Sequence, residues 1–278
     1  SKGVMLTHLN FATMIANFVT SMPTRRPPVH LVAAPMTHAA GCIAFPLLAL
    51  GATQFVIPSA DPLEIMRAID TQKITTLFLP PTVIYMMLGH PDVRKFDYSS
   101  LTHFIYAAAP MSAKKLEEAL QIFGPVMAQT FGQAEAPMLC TFLSPEEHLV
   151  VGDPVLEKRL MSCGRPTLFT QVEIMDDDGR ILPPNEKGEI VVRGNLVMRG
   201  YYKNPKATEE ASRFGWHHTG DIGMKDEDGY FYIVDRKRDM IISGGFNLYP
   251  SEIEQVLWAH EAVEDCAVVG VPDEKWGE

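Results

Sequence analysis

Through the first half of the chain, short continuous apolar runs alternate with stretches whose apolar positions recur at helical spacing. The runs HLVAAP (30–35), TQFVIP (53–58), TTLFLP (75–80), THFIYAA (102–108) and PVMAQTF (125–131) read as strands. Between them, residues 39–50, 61–72, 81–90 and 112–120 read as helices. Asp61 is placed to cap its helix with Pro62 at the first position, Pro81 opens the next, and Ser112 caps the last. Upstream, Thr7-His8-Leu9-Asn10 reads as a further helix entrance. Strands apolar on both faces, alternating with amphipathic helices, imply a parallel sheet covered on both sides. The predicted class is α/β, a doubly wound, mostly parallel sheet.

After about Ser144 the pattern changes. Residues 171–194, QVEIMDDDGRILPPNEKGEIVVRG, alternate apolar and polar positions around an Asp-Gly turn and a proline-rich loop, as antiparallel strands do. Residues 229–245, GYFYIVDRKRDMIISGG, repeat the alternation after a second turn at Asp228-Gly229. The expectation is a small, β-barrel-like antiparallel region. Residues 249–260 then read as a helix started by Pro250 and Ser251, with Ile253, Val256 and Leu257 on one face. Residues 263–272 read as a strand. Together they look like the start of a small α+β domain. The charge cluster at 234–240 marks a boundary, although such a cluster is also what a solvated hairpin carries.

Composition narrows the function classes. The chain has 278 residues, 46% hydrophobic and 21% charged, a profile of folded rather than disordered proteins. A net charge of −10 argues against a nucleic-acid surface, which needs clustered Lys and Arg, but not against a small anion held by a few local groups. Cys42, Cys140, Cys163 and Cys266 form no Cys-x-x-Cys pair and fit reduced, mostly buried thiols of a cytoplasmic protein. The nine histidines form no His-Glu-x-x-His. The apolar run near residues 39–50 contains Gly41 and Pro46 and is too short to span a bilayer.

Three segments carry candidate chemistry. In QTFGQAEAP (129–137) a strand ends on Phe131, Gly132 permits a tight turn, and Glu135 follows. The carboxyl end of a parallel strand is where α/β sheets bind ligands. Phe131 offers a face for a planar base, the backbone N–H groups after Gly132 suit a phosphate, and Glu135 is the kind of oxygen ligand that Mg²⁺ takes. Alone, the segment reads first as an ordinary strand-to-loop turn with a solvated Glu. In GWHHTGDIG (215–223), Asp221 can accept hydrogen bonds from a ribose diol or close an Asx turn, and His217 and His218 read as structural or exposed. In residues 235–254, Arg236 can reach a ribose or phosphate, and Gly244-Gly245 can pass close to a narrow ligand or simply join two strands.

Taken in order, SKG, AAAP, FGQAE, GEIVVRG, GYYKNP, TGD, DRKRD and SGGFNLYPSEIE resemble the signature segments of the adenylate-forming superfamily of acyl-CoA synthetases, adenylation domains and luciferases. The resemblance spans the chain. Lys2 corresponds to the lysine that ends a Ser/Thr/Gly-rich loop clasping the ATP phosphates. The stretch before Lys2 and the lysine that family members carry beyond the point matching Glu278 are both outside this sequence. The resemblance therefore implies an internal piece of a longer protein, inactive by itself. Residues 1–237 would be the later part of a large AMP-binding domain and residues 238–278 the start of a small mobile one.

The chemistry implied is two-step. A carboxylate and ATP give acyl-AMP and pyrophosphate, and coenzyme A then takes the acyl group as a thioester. ATP, Mg²⁺ and coenzyme A are the implied cofactors and substrates. Ala108, Ala109 and Pro110 would border the adenine, with Ala107 where the family often has Gly. Phe131 would stack on the base beside Gly132 and Gln133, and Glu135 would bind Mg²⁺. Ala134 stands where the family has Thr, so a hydroxyl contact to phosphate is lost. Asp221 would hold the ribose hydroxyls, with Arg236 adding a contact. Arg238 falls at the hinge between half-reactions. His38, Gly244, Gly245 and Phe246 would lie along the acyl and CoA channel. The ending GGFNLYPSEIE looks most like ligases for aliphatic, fatty acids. The alternatives are an acyl-AMP ligase that loads a carrier protein and, for this chain alone, a nucleotide-binding fragment without catalysis. Partners are then small molecules and not nucleic acid, with room for peripheral membrane contact by lipid substrates and for homo-oligomers.

Overall fold

The computed structural model describes residues 2–107, 111–149, 158–244, 246–258, 260, 262–263, 266–273 and 276–278. The chain divides into two compact units. One holds Ser1–Val172 with Arg193–Thr208, and the other holds Glu173–Val192 with Glu209–Glu278.

The first unit is built on seven strands: β2 (Val29–Val32), β3 (Thr53–Val56), β4 (Thr76–Leu79), β5 (His103–Tyr106), β6 (Met127–Gln133), β7 (Ala136–Leu143) and β8 (Arg165–Pro166). Their order is β3-β2-β4-β5-β6-β7-β8. The pairs from β3 through β6 are parallel, and β6–β7 and β7–β8 are antiparallel. Helices α3 (Pro62–Gln72), α4 (Pro81–Leu88) and α5 (Ala113–Phe123) bury Ile65, Ile69, Ile84, Met87, Leu116 and Phe123 in one core with Leu77, Leu79, Phe104 and Met127. Side chains alternate along a strand. Ile105 and Thr130 therefore face the other way, toward Met14 and Phe18 of α1 (His8–Ser21) and Ile43 of α2 (Ala39–Ala49). Both faces of the sheet are covered, as the sequence predicts. The edge strand β3 is the exception: it is partly exposed, with Val56 at 58%.

Local sequence sets the helix ends. Thr7 and Asn10 form a reciprocal capping box, Thr7 N donating to Asn10 Oδ1 at 2.6 Å and Asn10 N to Thr7 Oγ1 at 3.3 Å. Asp61 accepts from Glu64 N at 2.9 Å ahead of Pro62, and Ser112 accepts from Lys115 N at 3.4 Å. Each such cap stabilises its helix by about 1 kcal/mol.

Antiparallel pairing begins earlier than the sequence pattern suggests. Residues 136–143 are almost wholly buried, so they show no alternation. What fixes their direction is the two-residue turn between the paired residues Gln133 and Ala136, which can only join antiparallel neighbours.

The second unit centres on a four-stranded sheet ordered β13-β12-β10-β9, formed by β9 (Gln171–Met175), β10 (Gly188–Arg193), β12 (His217–Lys225) and β13 (Phe231–Arg236). A hairpin of β14 (Ile241–Ser243) and β15 (Phe246–Leu248) follows. Next comes the Pro250–Trp258 helix, where Ser251 N donates to Asp235 Oδ2 at 3.0 Å and Ser251 Oγ donates to the Val234 carbonyl. The strand predicted over 263–272 is not formed by residues 266–272. The Val268 N–H goes to Glu254 Oε1 at 2.8 Å instead of to a strand partner. Among the described residues no helix is long and apolar enough to cross a membrane.

Candidate active site

In the first unit the turn after β6 is shaped by one glycine. The β6–β7 register slips between Phe131 and Gln133, and Met138 opposite has φ +61°. A Cβ on Gly132 would stand 2.5 Å from the Met138 backbone nitrogen, so no other residue fits. Phe131 is buried at 9% exposure, Gly132 and Gln133 are half-buried, and Ala134 is exposed at the turn.

Glu135 is the half-buried second residue of that turn. Its carbonyl accepts Met198 N at 2.7 Å, and its carboxylate Oε1 accepts the Tyr201 hydroxyl at 2.6 Å. Burial, together with the neighbouring Glu135 carboxylate, pushes the Tyr201 phenol above its ordinary value, so Tyr201 keeps its proton and donates. Lys2 Nζ lies 4.2 Å from the centroid of the same ring.

Lys2 reaches that ring through a short two-stranded sheet. β1 (Val4–Met5) pairs with β11 (Gly200–Tyr201), Val4 opposite Tyr201. Asn10 of the capping box fastens the same strap, its Nδ2 donating to the Asn195 and Val197 carbonyls at 2.8 and 2.7 Å.

In the second unit Asp221 of β12 faces Arg236 of β13, with Arg236 Nε 3.8 Å from Oδ1. The turn before Asp221 is tightly bonded. Thr219 Oγ1 donates to the Ile190 carbonyl at 2.7 Å, Asp221 N donates to Thr219 Oγ1 at 3.1 Å, and Gly220 at φ +76° donates to Glu189 Oε1 at 3.0 Å. Glu189 is buried and also takes His218 Nδ1 at 3.1 Å and Lys237 Nζ at 3.2 Å. Burial alone would raise the Glu189 carboxyl. The His218 hydrogen bond and the Lys237 charge outweigh it and hold the group below its ordinary value.

The remaining predicted residues are more dispersed. Arg238 is exposed, pairs with Asp239 at 3.3 Å, and sits in a turn where Asp239 N and Met240 N both reach the Arg236 carbonyl. Gly244 has φ +58°, and a Cβ there would meet the Trp276 ring at 2.6 Å. Phe246 is 75% exposed. His38 is exposed at the N-cap of α2, its Nδ1 3.0 Å from Thr37 Oγ1. Ala108, Ala109, Pro110 and Gly245 lie outside the described residues.

The structure thus joins Lys2 to Glu135 and Asp221 to Arg236. It adds two residues that the sequence reading left without a role, Tyr201 of GYYKNP and Glu189 of GEIVVRG. Both stand in the ordered signature segments, which was the available signal. Among the described residues no three His, Cys, Asp or Glu side chains gather as a metal cluster. One carboxylate is nonetheless enough for Mg²⁺, which is commonly bound by one or two carboxylates plus substrate phosphates and water.

Open α/β sheets bind ligands outside the carboxyl ends of their strands, and the Glu135 turn follows the carboxyl end of β6. Residues 1–202 match the AMP-binding enzyme family, and residues 252–278 match the AMP-binding enzyme C-terminal domain. The chain belongs to the AMP-binding enzyme family. It is 42% identical over 277 residues to a medium/long-chain-fatty-acid–CoA ligase of Mycobacterium tuberculosis, covering 100% of this chain and 47% of that protein. It is 40% identical to a feruloyl-CoA synthase of an Amycolatopsis species, covering 55% of it. Among solved structures, the amide bond synthetase McbA of Marinactinospora thermotolerans superposes with a TM-score of 0.91 at 34% identity, over 99% of this chain and 55% of that one. The chain spans about half the length of the curated relatives it matches.

Proposed function

We propose that this chain is part of an ATP-dependent acid–thiol ligase that activates a carboxylic acid as its acyl-AMP and passes the acyl group to coenzyme A. The observation that carries the reading is the convergence of Lys2 and Glu135 on the Tyr201 side chain, Lys2 on its ring and Glu135 on its hydroxyl. A cation and a carboxylate held within one contact of each other are what a polyphosphate with a divalent ion requires.

In this reading a carboxylate oxygen attacks the α-phosphorus, and the bond to pyrophosphate breaks. The CoA sulfur then attacks the acyl carbon, and the bond to AMP breaks. Mg²⁺, when bound, offsets the charge of the phosphates. Glu135 is its protein ligand, and Lys2 faces the phosphates. Asp221 takes the ribose hydroxyls with Arg236 beside it, and Phe131 lies along the base. Arg238 is the pivot separating residues 1–237 from 238–278, and Gly244 and Phe246 border the CoA channel.

An aliphatic acid is the favoured substrate. The medium/long-chain-fatty-acid–CoA ligase supports that choice. The feruloyl-CoA synthase and a 2-succinylbenzoate–CoA ligase at 34% identity favour only the wider class of carboxylic acids.

The test is pyrophosphate and AMP release by the intact protein over aliphatic and aromatic acids, with and without CoA. Pyrophosphate release with an aliphatic acid, and AMP release that needs CoA, support the reading. AMP release that needs an acyl carrier protein instead overturns the CoA step. No pyrophosphate release with any acid overturns the ligase.

A further inference from the structure

Tyr201 is buried at 5% exposure and is fixed from several sides, yet it binds nothing in the proposed reaction. Its backbone N–H donates to Thr208 Oγ1 at 2.9 Å, and its strand is paired through Val4. A Cβ on Gly200, at φ +146°, would meet the Thr208 side chain at 2.8 Å, so the residue before Tyr201 is held to glycine and the strap lies close on the Pro205–Ala211 helix. The neighbouring backbone is tied as well, Tyr202 N to the Gly3 carbonyl at 2.7 Å and Arg199 N to the Met5 carbonyl at 3.0 Å. A ring so fixed has one polar atom, and that atom donates to Glu135 at 2.6 Å. Its face carries Lys2 at 4.2 Å.

We propose that Tyr201 is a positioning residue that sets two phosphate-side groups at once, orienting the Glu135 carboxylate through its hydroxyl and the Lys2 ammonium through its ring. The hydroxyl occupies Oε1. It leaves Oε2, which has no hydrogen-bond partner among the described residues, as the oxygen offered to a divalent ion. A hydrogen-bonded carboxylate with one free oxygen loses less freedom on taking a metal than an unrestrained one. Holding the ammonium over the ring face keeps it out of a direct ion pair with Glu135, which would cancel both charges before the nucleotide arrives. The inference rests on the reading of Glu135 as the metal ligand.

The two halves of the role separate in two variants of the intact protein. Tyr201→Phe keeps the ring and removes only the hydroxyl. Mn²⁺ binding in the presence of ATP, followed by electron paramagnetic resonance, should weaken about tenfold, the scale of one charge-assisted hydrogen bond. The KM for ATP at saturating Mg²⁺ should stay within about twofold, because the Lys2 contact to the ring is retained. Tyr201→Leu removes both contacts and should raise that KM as well. Thermal unfolding of each variant separates positioning from collapse of the fold: the Mn²⁺ effect must appear in Tyr201→Phe with the midpoint held. Glu135→Gln is the control. Unchanged Mn²⁺ binding in Tyr201→Phe, while Glu135→Gln loses it, overturns the positioning role and leaves the metal ligand standing. Unchanged binding in both overturns the metal ligand, and the positioning role with it.

Discussion

Arg236 stands directly across the β12–β13 ladder from Asp221, its Nε 3.8 Å from Oδ1. The two side chains differ in setting. Asp221 is 14% exposed, whereas Arg236 is 60% exposed. At that distance and exposure the pair contributes little to stability. In the proposed function Asp221 is a sheltered acceptor for the ribose diol, with a cation beside it. Asp221→Ala should therefore raise the KM for ATP about ten- to hundredfold, from the loss of charge-assisted hydrogen bonds of ~1.5–3 kcal/mol. The thermal midpoint should shift little. An ATP KM equal to that of the unaltered protein would remove Asp221 from the nucleotide site.

Glu189 holds the same turn from beneath. It takes the Gly220 N–H, His218 and Lys237, and so ties down the residues just before Asp221 and just after Arg236. Because its carboxyl is held below the ordinary 4.5, its contribution is present above that pH and is lost as pH falls through the depressed value. Glu189→Gln should thus be destabilised at neutral pH by about 1–3 kcal/mol, with the difference shrinking below about pH 4.5. Urea unfolding at pH 7 and pH 4 tests the sign. A difference that grows in acid would contradict it.

How much of this was legible in the sequence depends on the range of the cause. Asp61, Pro62 and Ser112 announce their helices, because a cap acts within one turn. The apolar runs announce the parallel strands, because both faces are covered. Glu135 and Asp221 are singled out by order and neighbours alone. Tyr201 and Glu189 are not. Tyr201 meets Glu135 across 66 residues and Glu189 meets Gly220 across 31, and nothing adjacent to either says which carboxylate or amide it will find. The 136–143 strand was hidden for the opposite reason: it is so buried that it lacks the alternation by which antiparallel strands are recognised.

Gly132 shows the local cause at its sharpest. The Cβ of an alanine there would meet backbone atoms of Met138 at 2.5–2.8 Å, and a backbone cannot swing aside as a side chain can. Gly132→Ala should lower stability by about 1–3 kcal/mol or more by overpacking. It should also disturb the turn that presents Glu135. Calorimetry would record the first effect and Mn²⁺ affinity the second. A variant as stable as the parent would mean that the Phe131–Gln133 bulge relaxes freely.

His148 adds a sensitivity to mild acid. It is fully buried, its Nδ1 is 2.7 Å from the Ser144 carbonyl and its Nε2 is 3.0 Å from the Tyr106 hydroxyl. Nδ1–H donates to the carbonyl, and in the neutral ring Nε2 accepts a hydrogen bond from the Tyr106 hydroxyl. Burial pulls its pKa from 6.5 down to about 4, against the opposing Ser144 hydrogen bond. Between these values the unfolded chain binds the proton and the folded one does not, so stability falls as pH falls from 6.5 toward 4. A shift of that size corresponds to about 3 kcal/mol. Burial also lowers His30 and His103, which add a loss of the same sign. His148→Gln can keep both hydrogen bonds without a titrating group. Its unfolding free energy should therefore fall less steeply between pH 6.5 and 4 than that of the parent. Parallel pH profiles for the two proteins would place the acid sensitivity elsewhere.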